Sequence, residues 1–291
     1  MTKKIMDINN YLYNCGLLIL GVTMLAGCSS KGDTPEQEAD DRQQIEIIAH
    51  RGDSHSTPEN TMASVESAWQ KEADAVEVDV YLSADNRVVA IHDKTTRRTG
   101  DKDLPVRETD SKELRTVDVG SFKGEEFAGE QIPFLEDIVA SVPDQKRLFI
   151  EVKDSERAIP YIRDIIQQSG KQDQMVVISF SLDVVKASKE QMAEIPAYWL
   201  RSVQRDPDTG EYQPIDTALF DQVKEHNLDG LDVHYKGVTP ELVEASHEAG
   251  FKLYVWTVNE SDDISALAEQ GVDGITTDRV TRAQNALGRN P

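Results

Sequence analysis

Positive charge, cysteine and long apolar runs are all scarce in this chain of 291 residues. Lys and Arg number 31 against 53 Asp and Glu, a formal charge of −22. Unspecific binding to nucleic acid depends on cations that neutralise phosphates, so this balance argues against a nucleic-acid partner. A small anionic ligand would need a metal ion or a few placed cations to overcome the same field. The two cysteines are Cys15 and Cys28, and Cys15 falls in a segment expected to be removed. With no disulfide to staple it, the fold must be held by packing. Hydrophobic residues make up 38% and charged residues 29%, which supplies an ordinary globular core and argues against disorder.

The one sustained apolar run, Leu17 to Ala26, follows a basic start at Lys3 and Lys4 and is too short to span a bilayer comfortably. It reads as an export signal. Its end, Leu25-Ala26-Gly27-Cys28, resembles a bacterial lipobox, which implies lipidation of Cys28 once residues 1–27 are cleaved. A plain signal with an incidental cysteine is the bland alternative. Residues 28–44 are polar and acidic and suit a flexible tether, which leaves 45–291 as the folded domain. The expectation is an exported protein held to a membrane of the bacterial cell envelope by its lipid. Loss of the signal makes the charge one unit more negative, so the acidity belongs to tether and domain.

From Ile45 onward, short runs rich in Val, Ile and Tyr alternate with longer amphipathic stretches, the signature of repeated β-α units. Strands are predicted at 45–49, 75–81, 87–91, 147–152, 175–179, 197–200, 229–233, 252–257 and 273–276. Helices are predicted at 59–72, 134–141, 156–169, 181–190, 216–226, 239–249 and 260–270, with Thr239-Pro240 and Asn259 as starts. Nine strands are one too many for an eight-stranded barrel. Only Ser83-Ala84-Asp85-Asn86 separates the second run from the third, and a parallel crossover needs a dozen residues or more. Those two runs must form an antiparallel hairpin, which leaves eight strands for a TIM (β/α)8-type barrel. Residues 93–131 break the rhythm with charges and glycines and read as an insertion of the kind that serves as a lid or recognition element.

The polar residues gather at the ends of these strands. His50-Arg51-Gly52 follows the first, Glu77-Val78-Asp79 lies in the second, His92-Asp93 ends the hairpin strand and Glu151-Val152-Lys153 ends the next. In a parallel barrel those ends face one mouth, where active sites sit. Glu77 and Asp79 are two apart on a strand and share a face. Two such carboxylates repel unless a cation lies between them, or unless one pairs with Arg51 or Lys153 and no metal binds. With Glu151 they would offer three hard oxygen donors, suited to Mg²⁺, Ca²⁺ or Mn²⁺ rather than zinc. His50 and His92 are the natural proton carriers near neutral pH. Arg51 and Lys153 could hold a phosphate or merely balance neighbouring carboxylates. Trp256 could wall a pocket for a small polyol or pack in the core. His55, His226, His234 and His247 receive no role.

At these residues the chain resembles the glycerophosphodiester phosphodiesterase family. The matching pieces are His50-Arg51-Gly52, Pro58-Glu59-Asn60-Thr61, Glu77-Val78-Asp79-Val80, His92-Asp93, Glu151-Val152-Lys153, Ser179-Phe180, Trp256-Thr257-Val258-Asn259 and Gly274-Ile275-Thr276-Thr277-Asp278. The stretch Asp53-Ser54-His55-Ser56-Thr57 is more polar than that family leads one to expect. The resemblance implies a barrel with a small insertion after the His92 strand and a divalent metal, Ca²⁺ or Mg²⁺, on Glu77, Asp79 and Glu151. It further implies an acid-base pair of His50 and His92, phosphate contacts from Arg51 and Lys153, and Trp256 against glycerol. The expected reaction is hydrolysis of a small glycerophosphodiester to an alcohol and glycerol 3-phosphate. The sequence leaves open which histidine is the acid, and whether water or a glycerol hydroxyl attacks. Rival readings keep the fold but take lysophospholipids, glycerophosphoinositol or a glycerol-phosphate polymer, or make the chain a ligand-binding lipoprotein without activity.

Overall fold

A computed structural model describes residues 45–289. The export signal, Cys28 and the tether lie outside the described residues.

In chain order the elements are β1 (Glu46–His50), α1 (Met62–Gln70), β2 (Ala75–Leu82), β3 (Val88–Ala90), α2 (Ser111–Leu114), α3 (Leu135–Ser141) and β4 (Arg147–Val152). They continue with α4 (Ile159–Ser169), β5 (Met175–Ser179), α5 (Leu182–Gln191), β6 (Ala197–Arg201), α6 (Leu219–Glu225), β7 (Gly230–His234), α7 (Pro240–Glu248), β8 (Lys252–Trp256), α8 (Ser261–Gln270), β9 (Gly274–Thr277) and α9 (Val280–Ala286). The strand order is β1-β9-β8-β7-β6-β5-β4-β2, and β1 pairs with β2 to close the ring. Every pairing within that ring is parallel, whereas β3 lies antiparallel on the far end of β2, with Val80 opposite Ala90 and Leu82 opposite Val88. The hairpin and barrel expected from loop length are therefore what the chain forms. Among the described residues no helix is long and apolar enough to cross a membrane.

Alternation along the strands separates two apolar layers. Ile47, Val76, Val78, Leu148, Ile150, Val177, Leu231, Val233, Leu253 and Val255 face outward and pack with the helices. Ile48, Phe149, Val176, Ile178, Tyr198, Leu200 and Tyr254 fill the interior. Near the N-terminal end of the barrel Tyr198 and Tyr254 meet edge to face with centroids 4.8 Å apart, and Phe149 lies 5.2 Å from Tyr254. Arg147 and Glu46 pair beside them at 2.9 Å. This end is plugged, so ligands enter by the opposite mouth.

Several boundaries shift from the sequence reading for local reasons. The first helix starts at Met62 rather than 59, because Asn60 adopts a left-handed φ of 56° and Thr61 caps the helix in a reciprocal box with Ser64. Thr239 does cap α7, accepting from the Leu242 amide with Pro240 in the first turn. Asn259 is no helix start; α8 begins after Glu260, and Asn259 turns instead toward Asp278, with Nδ2 donating to Oδ2 at 2.7 Å. The seven expected helices omit α2 and α9. In the region read as an irregular insertion, Val106, Leu114, Val117 and Val119 gather with Ile132, just beyond it, on Tyr81, Val89 and Ile91 as a third apolar cluster. It is a small packed module seated on the hairpin rather than an open loop.

Candidate active site

The site is set first by the turn after β1. Arg51 and Gly52 both have positive φ, 55° and 76°, and a Cβ at Gly52 would stand 2.5 Å from Ser64. That tight reversal aims the Arg51 amide at Glu77, whose Oε2 accepts it at 2.9 Å. Glu77 and Asp79 point inward from β2, and β4 brings Glu151 level with Asp79. One oxygen from each of these three buried carboxyls lies within 4.8 Å of the others.

The charges there are unequally matched. Lys153 Nζ lies 2.6 Å from Glu151 Oε1 and 3.2 Å from Asp79 Oδ1. Arg51 reaches Glu59 at 2.8 Å, and its Nε sits 3.1 Å from Asp79 Oδ2, near enough to pair but poorly aligned for a hydrogen bond. Three acids thus share two bases. Burial pushes all three carboxyls up, but Lys153 and Arg51 outweigh it at Asp79 and hold that group at about 2. Burial and the Asp79 charge push Glu151 up to about 7 and raise Glu77 well above its usual range. Glu77 Oε1 and Asp79 Oδ1 are buried without a hydrogen-bond partner. Hard oxygens without hydrogen bonds beside surplus negative charge fit a divalent cation. The ion pairs weighed as an alternative to metal are thus present, with Lys153 reaching Asp79 Oδ1, yet they leave Glu77 Oε1 with no partner.

Each histidine flanking this cluster is braced by a carboxylate on Nδ1. For His50 the brace is Asp278 at 2.7 Å, itself held by Ser54 at 3.1 Å and Asn259. The hydrogen bonds from His50, Asn259 and Ser54 overcome burial and keep Asp278 well below the usual carboxylate range. For His92 the brace is Asp93 at 2.6 Å, which Arg98 of the insertion grips at 2.6 Å while its other nitrogens hold Glu59. A carboxylate on Nδ1 places the neutral ring's proton there and leaves Nε2 as the acceptor. His92 follows Ala90, the last residue of β3, by two positions, so it lies just beyond the strand rather than ending it.

His50, Arg51, His92, Lys153 and Trp256 line a single cleft of about 230 Å³ with Glu77 and Glu151. Trp256 donates through Nε1 to the Asp232 carbonyl at 3.2 Å, and Phe180 stands edge-on to it at 5.5 Å. The sequence reading missed Asp278, Glu59, Arg98 and Asp232. Asp278 and Glu59 stood inside quoted motifs without a role, and nothing local marks Arg98. Asp232 sits at an inward position of β7, and strand alternation could have flagged it. His234, given no role, packs edge-on against Trp256 at 5.2 Å.

A profile of the "Glycerophosphoryl diester phosphodiesterase family" matches residues 50–282. Among curated relatives, the chain is 32% identical over 239 residues to a glycerophosphodiester phosphodiesterase of Caldanaerobacter subterraneus, covering 80% of this chain and 93% of the relative. It is also similar to the solved structure of an Oleispira antarctica phosphodiesterase in complex with the product sn-glycerol-3-phosphate. The TM-score is 0.76 at 29% identity, over 84% of this chain and 96% of that one. A glycerophosphodiester phosphodiesterase from Parabacteroides distasonis superposes with a TM-score of 0.69 at 26% identity, over 85% of this chain and 98% of that one.

Proposed function

The chain belongs to the glycerophosphoryl diester phosphodiesterase family and is a phosphodiesterase, and from that premise we propose how its residues divide the reaction. The substrate is a small glycerophosphodiester, and the products are an alcohol and sn-glycerol 3-phosphate. Supporting this reading above all is the convergence of three buried, mutually close carboxyls and two carboxylate-braced histidines at one cleft.

Glu77, Asp79 and Glu151 are the residues that would hold a divalent cation, Ca²⁺ or Mg²⁺ by donor type. When bound there, it supplies Lewis acidity toward phosphate oxygens and lowers the pKa of the attacking hydroxyl. Arg51 and Lys153 line the same cleft and take further phosphate oxygens. One histidine accepts a proton on Nε2 from the attacking hydroxyl. The other, protonated on both ring nitrogens, gives its Nε2 proton to the leaving alkoxide, so the P–O bond to the alcohol breaks without releasing a strong base. Trp256 and Phe180 wall the glycerol side.

The insertion supports a water-soluble substrate over a lipid, since Phe122 is its one exposed large apolar side chain among the described residues. A panel of glycerophosphocholine, glycerophosphoethanolamine, glycerophosphoinositol and lysophosphatidylcholine, followed by phosphorus NMR, tests the assignment. Glycerol 3-phosphate should accumulate fastest from the deacylated diesters, and the absence of any diester cleavage would refute the activity.

The same proposal places the enzyme outside the cytoplasm on a lipid at Cys28, supported by the lipobox-like Leu25-Ala26-Gly27-Cys28 after the apolar run. On detergent phase partition of the expressed full chain, Cys28→Ser should move the protein from the detergent phase to the aqueous one. Equal partition of the two forms counts against the anchor.

A further inference from the structure

The ring places β7 four strands from β2 in either direction, directly across the barrel from Glu77 and Asp79. Leu231 and Val233 of β7 face the helices, so alternation turns Asp232 inward, level with Leu200 and Tyr254. Asp232 lines the same cleft as the histidines yet is only 1% exposed. Its Oδ1 is buried with no hydrogen-bond partner, and no Lys, Arg or His pairs with its carboxyl among the described residues. It is also outside the trio of mutually close carboxyls, which is confined to Glu77, Asp79 and Glu151. An unpaired buried carboxyl between Leu200, Ile178 and Trp256 serves neither the cation cluster nor packing.

We propose that Asp232 recognises the adjacent hydroxyls of the glycerol arm, and so selects fully deacylated diesters over acylated ones. The inference rests on the glycerophosphodiester reading and names a residue that sets its specificity. A diester whose phosphate lies against the β1, β2 and β4 residues spans the mouth toward β7 with one of its two arms. The arm beside Asp232 is enclosed, so it must be the small constant one, while the variable alcohol keeps the open side. Two neighbouring oxygens on a carboxyl match two neighbouring hydroxyls, and a hydroxyl both donates and accepts. An acyl chain on that glycerol removes one hydroxyl and needs room that the buried side chain does not leave.

Binding to the cation-loaded enzyme, measured by calorimetry, separates the hydroxyls from the phosphate. The ligands are sn-glycerol 3-phosphate and n-propyl phosphate, which has the same chain without the hydroxyls. The wild-type chain should prefer the glycerol ester by about tenfold or more, since a polar site rejects an analogue that leaves it unpaired. Asp232→Leu should reduce that preference to about threefold or less, and Asp232→Asn, which still pairs with hydroxyls, should retain most of it. In turnover, the ratio of kcat/KM for glycerophosphocholine over lysophosphatidylcholine should fall about tenfold in Asp232→Leu. A wild-type chain without the preference, or an Asp232→Leu chain that keeps it, overturns the assignment. The wild-type comparison decides even if the leucine variant does not fold. Should the wild-type chain cleave no glycerophosphodiester, the hydrolase reading falls, whereas the binding cycle still decides the role of Asp232.

Discussion

Replacing His50 by alanine is expected to lower kcat on glycerophosphocholine by about 10²- to 10⁴-fold, the range that general acid-base catalysis contributes. His92→Ala should do the same, and KM should move far less in both. The two rings have the same construction, with Nδ1 on a carboxylate 2.7 Å away at Asp278 and 2.6 Å away at Asp93. Each then presents Nε2 as a proton carrier. In the proposed scheme both serve one proton transfer sequence, so the double variant should be little worse than either single one. Burial depresses the His92 pKa more than Asp79 and Asp93 raise it, so the ring is held below the 6.5 of a free histidine. With His92 as the base, activity falls as pH drops through that depressed value and His92→Ala erases this acid limb; with His92 as the acid, the same depressed value sets the alkaline limb instead. Steady-state kinetics from pH 5 to 8, with thermal melts to confirm folding, check both points. Near-normal kcat in either alanine variant would sink the two-histidine scheme.

Glu77→Gln should act with opposite signs on activity and on metal-free stability. Without a cation Glu77 is buried beside Asp79 and Glu151 and its Oε1 finds no partner. A neutral amide removes that conflict, and its carbonyl can still accept the Arg51 amide that now reaches Oε2. A gain on the order of 1 kcal/mol corresponds to a melting temperature about 2–4 °C higher for a domain of this size. With a carboxylate ligand gone, cation affinity should fall about tenfold or more and activity with it. The linkage sign follows from the raised carboxyls. Glu151, pushed up to about 7, and Glu77 hold protons in the metal-free fold that the unfolded chain has released above about 4.5. The contribution of these two groups to metal-free stability is therefore fullest below that value and declines as pH rises toward 7, less steeply in Glu77→Gln. Protons compete with the cation for the same oxygens, so cation affinity weakens as pH falls below about 7. Melts and titration calorimetry with Ca²⁺ and Mg²⁺ after chelation read all of this. A variant that melts lower without cation and binds it as well as the wild type refutes the account, as does full activity in excess chelator.

The barrel was legible because its evidence is local. A four-residue link forbids a parallel crossover wherever it occurs, and this fixed the β2-β3 hairpin and the strand count. The insertion was not legible, since its apolar residues from Val106 to Val119 are spaced irregularly and find one another only on Tyr81 and Val89. Boundaries shifted where side-chain chemistry overrode pattern, as at Thr61 and at Asn259, whose partner Asp278 lies 19 residues on.

By itself the sequence determined the acid pair of β2, the inward direction of its side chains and the donor chemistry they offer, because alternation along a strand is covalent geometry. It also carried the family motifs. Only the tertiary structure decided that Asp278 braces His50 across 228 residues, that Arg98 of the insertion ties Asp93 to Glu59, and that Asp232 faces the carboxylate cluster from the opposite wall. Those meetings depend on closure of the ring between β1 and β2. Closure is cooperative among all its strands, and so it is written in no single stretch of residues.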